Sequence, residues 1–280
     1  MTLSASLALM SDRNQDMRIR EWAMSQQAST PMPEIVETTI EGQQIRFLIA
    51  NPNDAIMKCH QQGMFYETEE LALIKQHYTE GVVVDIGANV GNHAVYISKF
   101  TNAPRIIVFE PSQTTIAILK ENLRLNQCNN VDTKFLGIAL GAKEGRLTQH
   151  RPEPDNLGYT YYTEDPAGDV QEIDGDSLIY DEPIGLIKLD AEGMEVEILA
   201  GLQRTIQRWR PVMLIEIWDW KTPLFIKWLA RESYEIIDPS IRRYDQMWNY
   251  LVKPVELQNT WELHQWLLRL QAHTPTPKRR

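Results

Sequence analysis

The sequence predicts an α/β fold, a doubly wound and mostly parallel sheet with helices on both faces, preceded by an N-terminal extension. Three observations carry this. The run Val82-Val83-Val84-Asp85-Ile86 is apolar apart from one acid, as in a strand buried on both faces. It leads into the glycine-punctuated turn Gly87-Ala88-Asn89-Val90-Gly91 and then into a helical pattern with Val95 and Ile97 on it. Similar short apolar runs recur between helical segments, and they end at or beside acids: Glu110, Asp190 and Glu216. Folds of this kind bind ligands outside the carboxyl ends of their strands.

The elements follow in order. Residues 1 to about 33 are polar and close on Pro31 and Pro33, which reads as an arm. Residues 35–49 alternate apolar and polar around Gly42, as in a β-hairpin, and 54–57 fit a further short strand. Met64 to Tyr78 has helical spacing through Leu71 and Ile74, with acids in its first turns. After the Val82 run and its helix, Arg105–Phe109 is a second strand, and Ser112 is placed to cap a helix carrying Ile116, Leu119 and Leu123. Val131 to Leu140 reads as a third strand with its exit.

The polar stretch 148–182 is too long for a structureless loop, so edge strands or a partial lid are expected there. Ile184–Leu189 is a fourth strand, Glu192–Arg210 a single helix, and Val212–Ile217 a fifth strand. Thr222-Pro223 reads as a cap and first-turn proline. Tyr234–Ile237 and Met247–Lys253 form a closing antiparallel pair around Asp238-Pro239-Ser240. An amphipathic helix over 260–272 and a disordered tail end the chain. The expected domains are an arm and hairpin over 1–59, the main domain over 60–258, and the helix and tail over 259–280.

Composition narrows the class. At 280 residues the chain suits one α/β domain with additions, and 43% hydrophobic with 24% charged residues are globular values. A net charge of −10 argues against a broad nucleic-acid footprint. Cys59 and Cys128 lie outside any C-x-x-C spacing and read as reduced thiols. No run approaches the roughly 18 apolar residues of a membrane span. Asp12, Arg13 and Asp16 interrupt the apolar start, unlike a signal peptide. The expectation is a cytoplasmic protein. An oligomer is open, with the arm and last helix as candidate partner surfaces.

The turn at Gly87 selects among cofactors. A dinucleotide loop has G-x-G-x-x-G, yet starting from Gly87 the second and third glycine positions hold Asn89 and Asn92. An acid, Asp85, opens the turn, where a pyrophosphate would be repelled. S-adenosylmethionine (SAM) suits such a carboxylate, because it carries a sulfonium and an ammonium and no phosphate. Glu110 follows Gly87 at close to the ~20-residue offset from which an acid reaches a ribose in the next βα unit. No G-x-S-x-G elbow, P-loop, H-E-x-x-H or C-x-x-C is present, so hydrolase, NTPase and zinc-enzyme classes have no motif behind them.

Several blocks stand in a fixed order: Asp85 to His93, Phe109-Glu110-Pro111-Ser112, Ala139-Leu140-Gly141 with Glu144-Gly145, Asn156-Leu157-Gly158, Ile187 to Glu195, and Leu214-Ile215-Glu216. The chain over about residues 60–218 resembles the FkbM-type family of SAM-dependent methyltransferases. The resemblance implies the class I methyltransferase (Rossmann-like) fold, with seven strands and one of them antiparallel. It also implies SAM as cofactor and methylation of a hydroxyl on a small metabolite, natural product or glycan.

Carried over block by block, Asp85, Gly87, Asn89 and Gly91 hold the methionine half of SAM, and Glu110 takes the ribose hydroxyls. Ser112 adds a contact or serves only as a cap. Ile138 and Ala139 flank the adenine. Asn89 or His93 contacts the amino acid moiety or faces the acceptor; His93 is equally a packed helix residue.

Asp190, Glu192 and Glu216 are three acids at neighbouring strand ends. A hydroxyl acceptor must lose its proton, so one acid serves as general base, or a divalent ion held by oxygen ligands such as Asp190 and Glu216 activates the hydroxyl. Glu192 also suits a helix N-terminus without any catalytic role. Tyr159, Tyr161, Tyr162, Trp218 and Trp220 form either an acceptor wall or ordinary edge packing. The rival classes are a catalytically silent binding module that keeps the fold, and a nicotinamide-dependent oxidoreductase.

Overall fold

The computed structural model describes residues 33–151, 153, 155–237, 241–244, 246–256 and 260–272. The expected arm, the Asp238-Pro239-Ser240 turn and the tail lie outside these residues. The chain divides into two compact units between Tyr66 and Glu67.

In the first unit β1 (Glu34–Ile40) and β2 (Gln43–Ile49) pair antiparallel. Their two-residue turn has positive φ at Glu41 (48°) and Gly42 (78°), the pattern that matches the twist of a tight hairpin. Where a short strand was expected at 54–57, the structure has α1 (Ala55–Gln61). The Asp54 carboxylate accepts the Ile56 and Met57 N–H groups, each at 3.0 Å, and this cap starts a helix. Phe47 stacks on His60 and meets Phe65 edge-on, closing a small core.

The second unit opens with α2 (Thr68–His77), β3 (Val82–Ile86), α3 (Asn92–Phe100), β4 (Ile106–Phe109), α4 (Gln113–Leu125) and β5 (Val131–Asp132). It continues with β6 (Ile138–Gly141), β7 (Gly145–His150), β8 (Tyr161–Glu164), β9 (Val170–Asp174) and α5 (Asp176–Ile179). Then come β10 (Ile184–Leu189), α6 (Glu195–Gly201), α7 (Gln203–Trp209), β11 (Val212–Trp218) and α8 (Thr222–Glu232). The unit ends with β12 (Tyr234–Ile236), β13 (Ile241–Tyr244), β14 (Met247–Pro254) and α9 (Thr260–Ala272).

The main sheet runs β5-β4-β3-β10-β11-β14-β12, with β13 pairing on the same edge of β14 as β12. The first five strands are parallel to their neighbours, and β14 is antiparallel to both β11 and β12. Ile86 pairs with Phe109 and with Leu189, and Leu189 with Ile215. Four carboxyl ends therefore finish side by side on one rim. Beneath them Ile187, Leu189, Leu199, Ile206, Ile215, Phe225 and Leu229 pack into one core. Each such side chain contributes about 1.5–3 kcal/mol through burial.

Three expectations are corrected. Only Val131–Asp132 of the third strand joins the main sheet. Gly137, at φ 93°, turns the chain, and β6 pairs parallel with β9 in a second sheet of order β6-β9-β7-β8. That second sheet uses much of the polar stretch 148–182, where edge strands were expected. The single helix over 192–210 begins only at Glu195, because Glu192 and Gly193 have φ of 49° and 99°, and it breaks at Leu202. The cap of α8 is Lys221 rather than Thr222, with a proline in the first turn as anticipated.

Candidate active site

The turn after β3 is held by its neighbours. The Gly87 and Ala88 N–H groups donate to Phe109 O at 2.9 and 3.0 Å, and Asn122 of α4 donates to Val90 O at 2.8 Å. Gly87, Asn89 and Gly91 all have positive φ. A Cβ on Gly87 would lie 1.7 Å from Asp190 O, so only glycine fits there. The backbone turns after β3 and β10 thus touch.

Glu110, at the end of β4, spans both sides of this rim. Its Oε2 accepts the Asn89 N–H at 2.9 Å and its Oε1 the Ser112 N–H at 2.8 Å. Burial pushes its carboxyl above the ordinary range, and the Ser112, Thr115 and Asn89 donors pull it partly back. Ser112 occupies the N-cap of α4 without a side-chain cap bond; its hydroxyl accepts from Arg151 Nη2 at 3.0 Å. Gly158 comes close to Asn89, since a Cβ there would lie 3.5 Å from Asn89 Nδ2. The 148–182 stretch therefore reaches the turn. Ile138 is half-buried against the main core, while Ala139 packs with Leu147 and Val170 inside the second sheet.

Asp85 exposes no surface. Its cation is Lys188, buried on the adjacent strand, with Nζ 3.6 Å from Asp85 Oδ1 and 3.3 Å from Asp190 Oδ2. The same Nζ donates to Gly87 O at 2.9 Å. Burial works against the lysine's charge, yet Asp190 and Asp85 outweigh it, so Lys188 stays protonated well beyond the ordinary lysine range. Lys188 was not among the expected site residues. The signal was a single charged residue inside the otherwise apolar Ile184–Leu189 run.

The acids expected at the mouth come together. Asp190, Glu192 and Glu216 each bring a carboxylate oxygen within 4.8 Å of the others. Burial, then Asp190 and Glu195, pushes Glu192 up to about 9. Burial, then Asp190 and Glu192, raises Glu216 well above the ordinary range. Glu195, also missed, accepts the Ala191 and Gly193 N–H groups at 3.2 and 2.8 Å, and burial raises it to about 7. Lys221 reaches from the opposite loop to Gly193 O and Glu197. His93, in the first turn of α3, places Nε2 3.5 Å from Glu67 Oε2. The oxygens of Asp190, Glu192 and Glu216 also suit a hard divalent cation.

Among the described residues, the buried Oδ1 of Asn89 has no hydrogen-bond partner, and the Asp85 carboxylate has only the Lys188 ammonium beside it. Trp220 is 66% exposed on the loop after β11, with Lys221 Nζ 5.1 Å from its ring centroid. Among the described residues no helix is long and apolar enough to cross a membrane.

Five parallel strands and one antiparallel strand inserted before the last, with this acid-lined rim, define a class I methyltransferase fold. Residues 85–244 match the methyltransferase FkbM domain, which spans more than half of the chain. The chain belongs to that family. It is 24% identical over 195 residues to the hexuronic acid methyltransferase AglP of Haloferax volcanii, covering 68% of this chain and 77% of that protein. It is 23% identical over 148 residues to methyltransferase 1 of Beauveria bassiana, covering 44% of this chain and 59% of that one. The crystal structure of methyltransferase FkbM from Methylobacillus flagellatus aligns at a TM-score of 0.45 and 20% identity, over 62% of this chain and 43% of that one.

Proposed function

We propose that the protein moves a methyl group from SAM to a hydroxyl oxygen of a glycan or similar polyhydroxylated acceptor. The observation that carries this is the pair of acceptors at the Gly87–Gly91 turn: Asn89 Oδ1, buried without a hydrogen-bond partner among the described residues, and the Glu110 carboxylate beside it. Both have lone pairs left for further donors, which fits an ammonium and a ribose diol, and the buried Asp85 charge behind the turn suits a sulfonium. A pyrophosphate would meet the Asp85 and Glu110 charges there, which disfavours the nicotinamide reading.

When bound, SAM supplies an electrophilic methyl group on sulfur. The residues supply placement. Glu110 keeps a second lone pair on each oxygen for the ribose hydroxyls, and Asn89 Oδ1 accepts from the amino acid end. Gly87 and Gly91 let the backbone approach closely. Asp85, sealed behind Lys188, contributes negative field rather than contact. Ile138 is the half-buried candidate for the adenine wall, and Ser112 holds Arg151.

On the acceptor side Asp190 has a half-exposed carboxylate at the rim, so it takes the proton that the hydroxyl gives up. Glu192 and Glu216 lie beside it and orient the hydroxyl for in-line attack. His93 stands against Glu67. A carboxylate base suits an alcohol, which favours oxygen over nitrogen as the acceptor atom. The exposed Trp220 face offers a stacking surface for a sugar ring, and the similarity to a hexuronic acid methyltransferase supports the same acceptor class. A cytoplasmic site of action accords with a SAM-using enzyme.

The test is methyl-labelled SAM offered with uronate-containing and neutral oligosaccharides and with matched amines. Label in a methyl ether supports the reading. Label only in the amines refutes the oxygen acceptor, and no label in any acceptor while SAM binds refutes methyl transfer and favours a silent binding module.

A further inference from the structure

We infer that Lys188 is the positioning residue that locks the donor-binding turn and the proton-accepting aspartate into one unit; this rests on the roles proposed above. An ammonium has three donors and no acceptor. Lys188 Nζ faces three oxygens: Gly87 O at 2.9 Å, Asp190 Oδ2 at 3.3 Å and Asp85 Oδ1 at 3.6 Å. Gly87 belongs to the turn that receives SAM. Asp190 belongs to the turn that meets the acceptor. Asp85, paired with Lys188 in register across β3 and β10, is the fixed counter-charge beneath both.

The lysine is 4% exposed, so solvent does not substitute for it. It leaves Asp190 one carboxylate oxygen to face the hydroxyl. The backbone contact between Gly87 and Asp190 O makes the coupling stiff, because neither turn can shift without moving the other. Methyl transfer needs the sulfur, carbon and oxygen in line, and a misplacement of about 1 Å can cost on the order of 100-fold in rate. A single cation at this junction sets the spacing between the two halves of the reaction.

Removing a merely structural lysine would also destabilise the protein, since it leaves Asp85 buried, and Asp190 half-buried, without a counter-charge. The test therefore uses two variants, Lys188→Met and the double variant Lys188→Met with Asp85→Asn, which removes the sealed counter-charge as well. The double variant is expected to recover most of the melting temperature lost by the single one.

Native-state hydrogen exchange is expected to quicken about tenfold or more in both turns, residues 87–91 and 190–193, in both variants. At saturating SAM, kcat is expected to fall on the order of 100-fold in both variants. The dissociation constant for S-adenosylhomocysteine (SAH) is expected to rise less than about tenfold. Faster exchange in only one turn overturns the inference, as does recovery of kcat together with the melting temperature. Failure of both variants to fold makes Lys188 a requirement of the fold and also overturns it. A wild-type protein that binds no SAH refutes the cofactor reading instead, and the exchange result then decides on Lys188 alone.

Discussion

Glu110 Oε2 accepts the Asn89 N–H at 2.9 Å, so one buried carboxylate joins the end of β4 to the turn after β3. With Ser112 N–H on its other oxygen, Glu110 shapes the turn and, in the function proposed, also takes the ribose hydroxyls. Glu110→Ala removes both functions. SAM affinity should fall by roughly 1–3 kcal/mol, the scale of lost charge-assisted hydrogen bonds. Equilibrium dialysis with labelled SAM reads this, and unchanged affinity takes Glu110 out of the site.

Two glycines on the same rim separate steric from conformational cost. Gly87 and Gly193 both have positive φ, but a Cβ on Gly193 meets nothing within 4 Å whereas one on Gly87 overlaps Asp190 O. Gly193→Ala should cost about 1–2 kcal/mol, the left-handed penalty alone. Gly87→Ala should cost clearly more, because backbone must move. Equal melting temperatures for the two variants would contradict the contact between the turns.

Glu195 gives a pH dependence of known sign. Burial raises its carboxyl from 4.5 to about 7 in the folded protein. Between those values the folded state holds the proton more tightly than the unfolded chain, so stability falls as pH rises and levels off above about 7. The loss is on the order of 3 kcal/mol. Glu195→Gln keeps an oxygen for the Ala191 and Gly193 N–H groups and removes the proton. In chelator-treated protein the variant should show a shallower decline in denaturation midpoint between pH 5 and about 7, measured against wild type. An identical slope would locate the titration elsewhere.

The Asp190 assignment has a metal-removal consequence. With a carboxylate as base, turnover should persist after EDTA treatment, while Asp190→Asn should lower kcat about 100-fold or more with SAM affinity nearly intact. Turnover lost to EDTA and restored by Mg²⁺ or Mn²⁺ would hand activation of the hydroxyl to an ion on Asp190, Glu192 and Glu216.

What the sequence disclosed was largely local. Strands buried on both faces announce themselves as apolar runs, and a parallel sheet must bring their carboxyl ends to one rim. Glu110, Asp190 and Glu216 were therefore legible as neighbours. Pairing between distant segments was not. Ile138–Gly141 looks like the end of the third strand until β9, some thirty residues on, takes it into a second sheet. The strand reading of 54–57 gave way to a cap that only the Asp54 geometry reveals. Lys188 carried a signal, a charge in an apolar run, but its three partners lie in separate turns that only the folded sheet assembles.

The central claim is that this rim binds SAM. Calorimetric titration with SAH tests it most directly. One saturable site per chain is expected, weakened in Glu110→Ala, with no heat from NADH. No binding of SAH, or displacement of SAH by NADH, would contradict it.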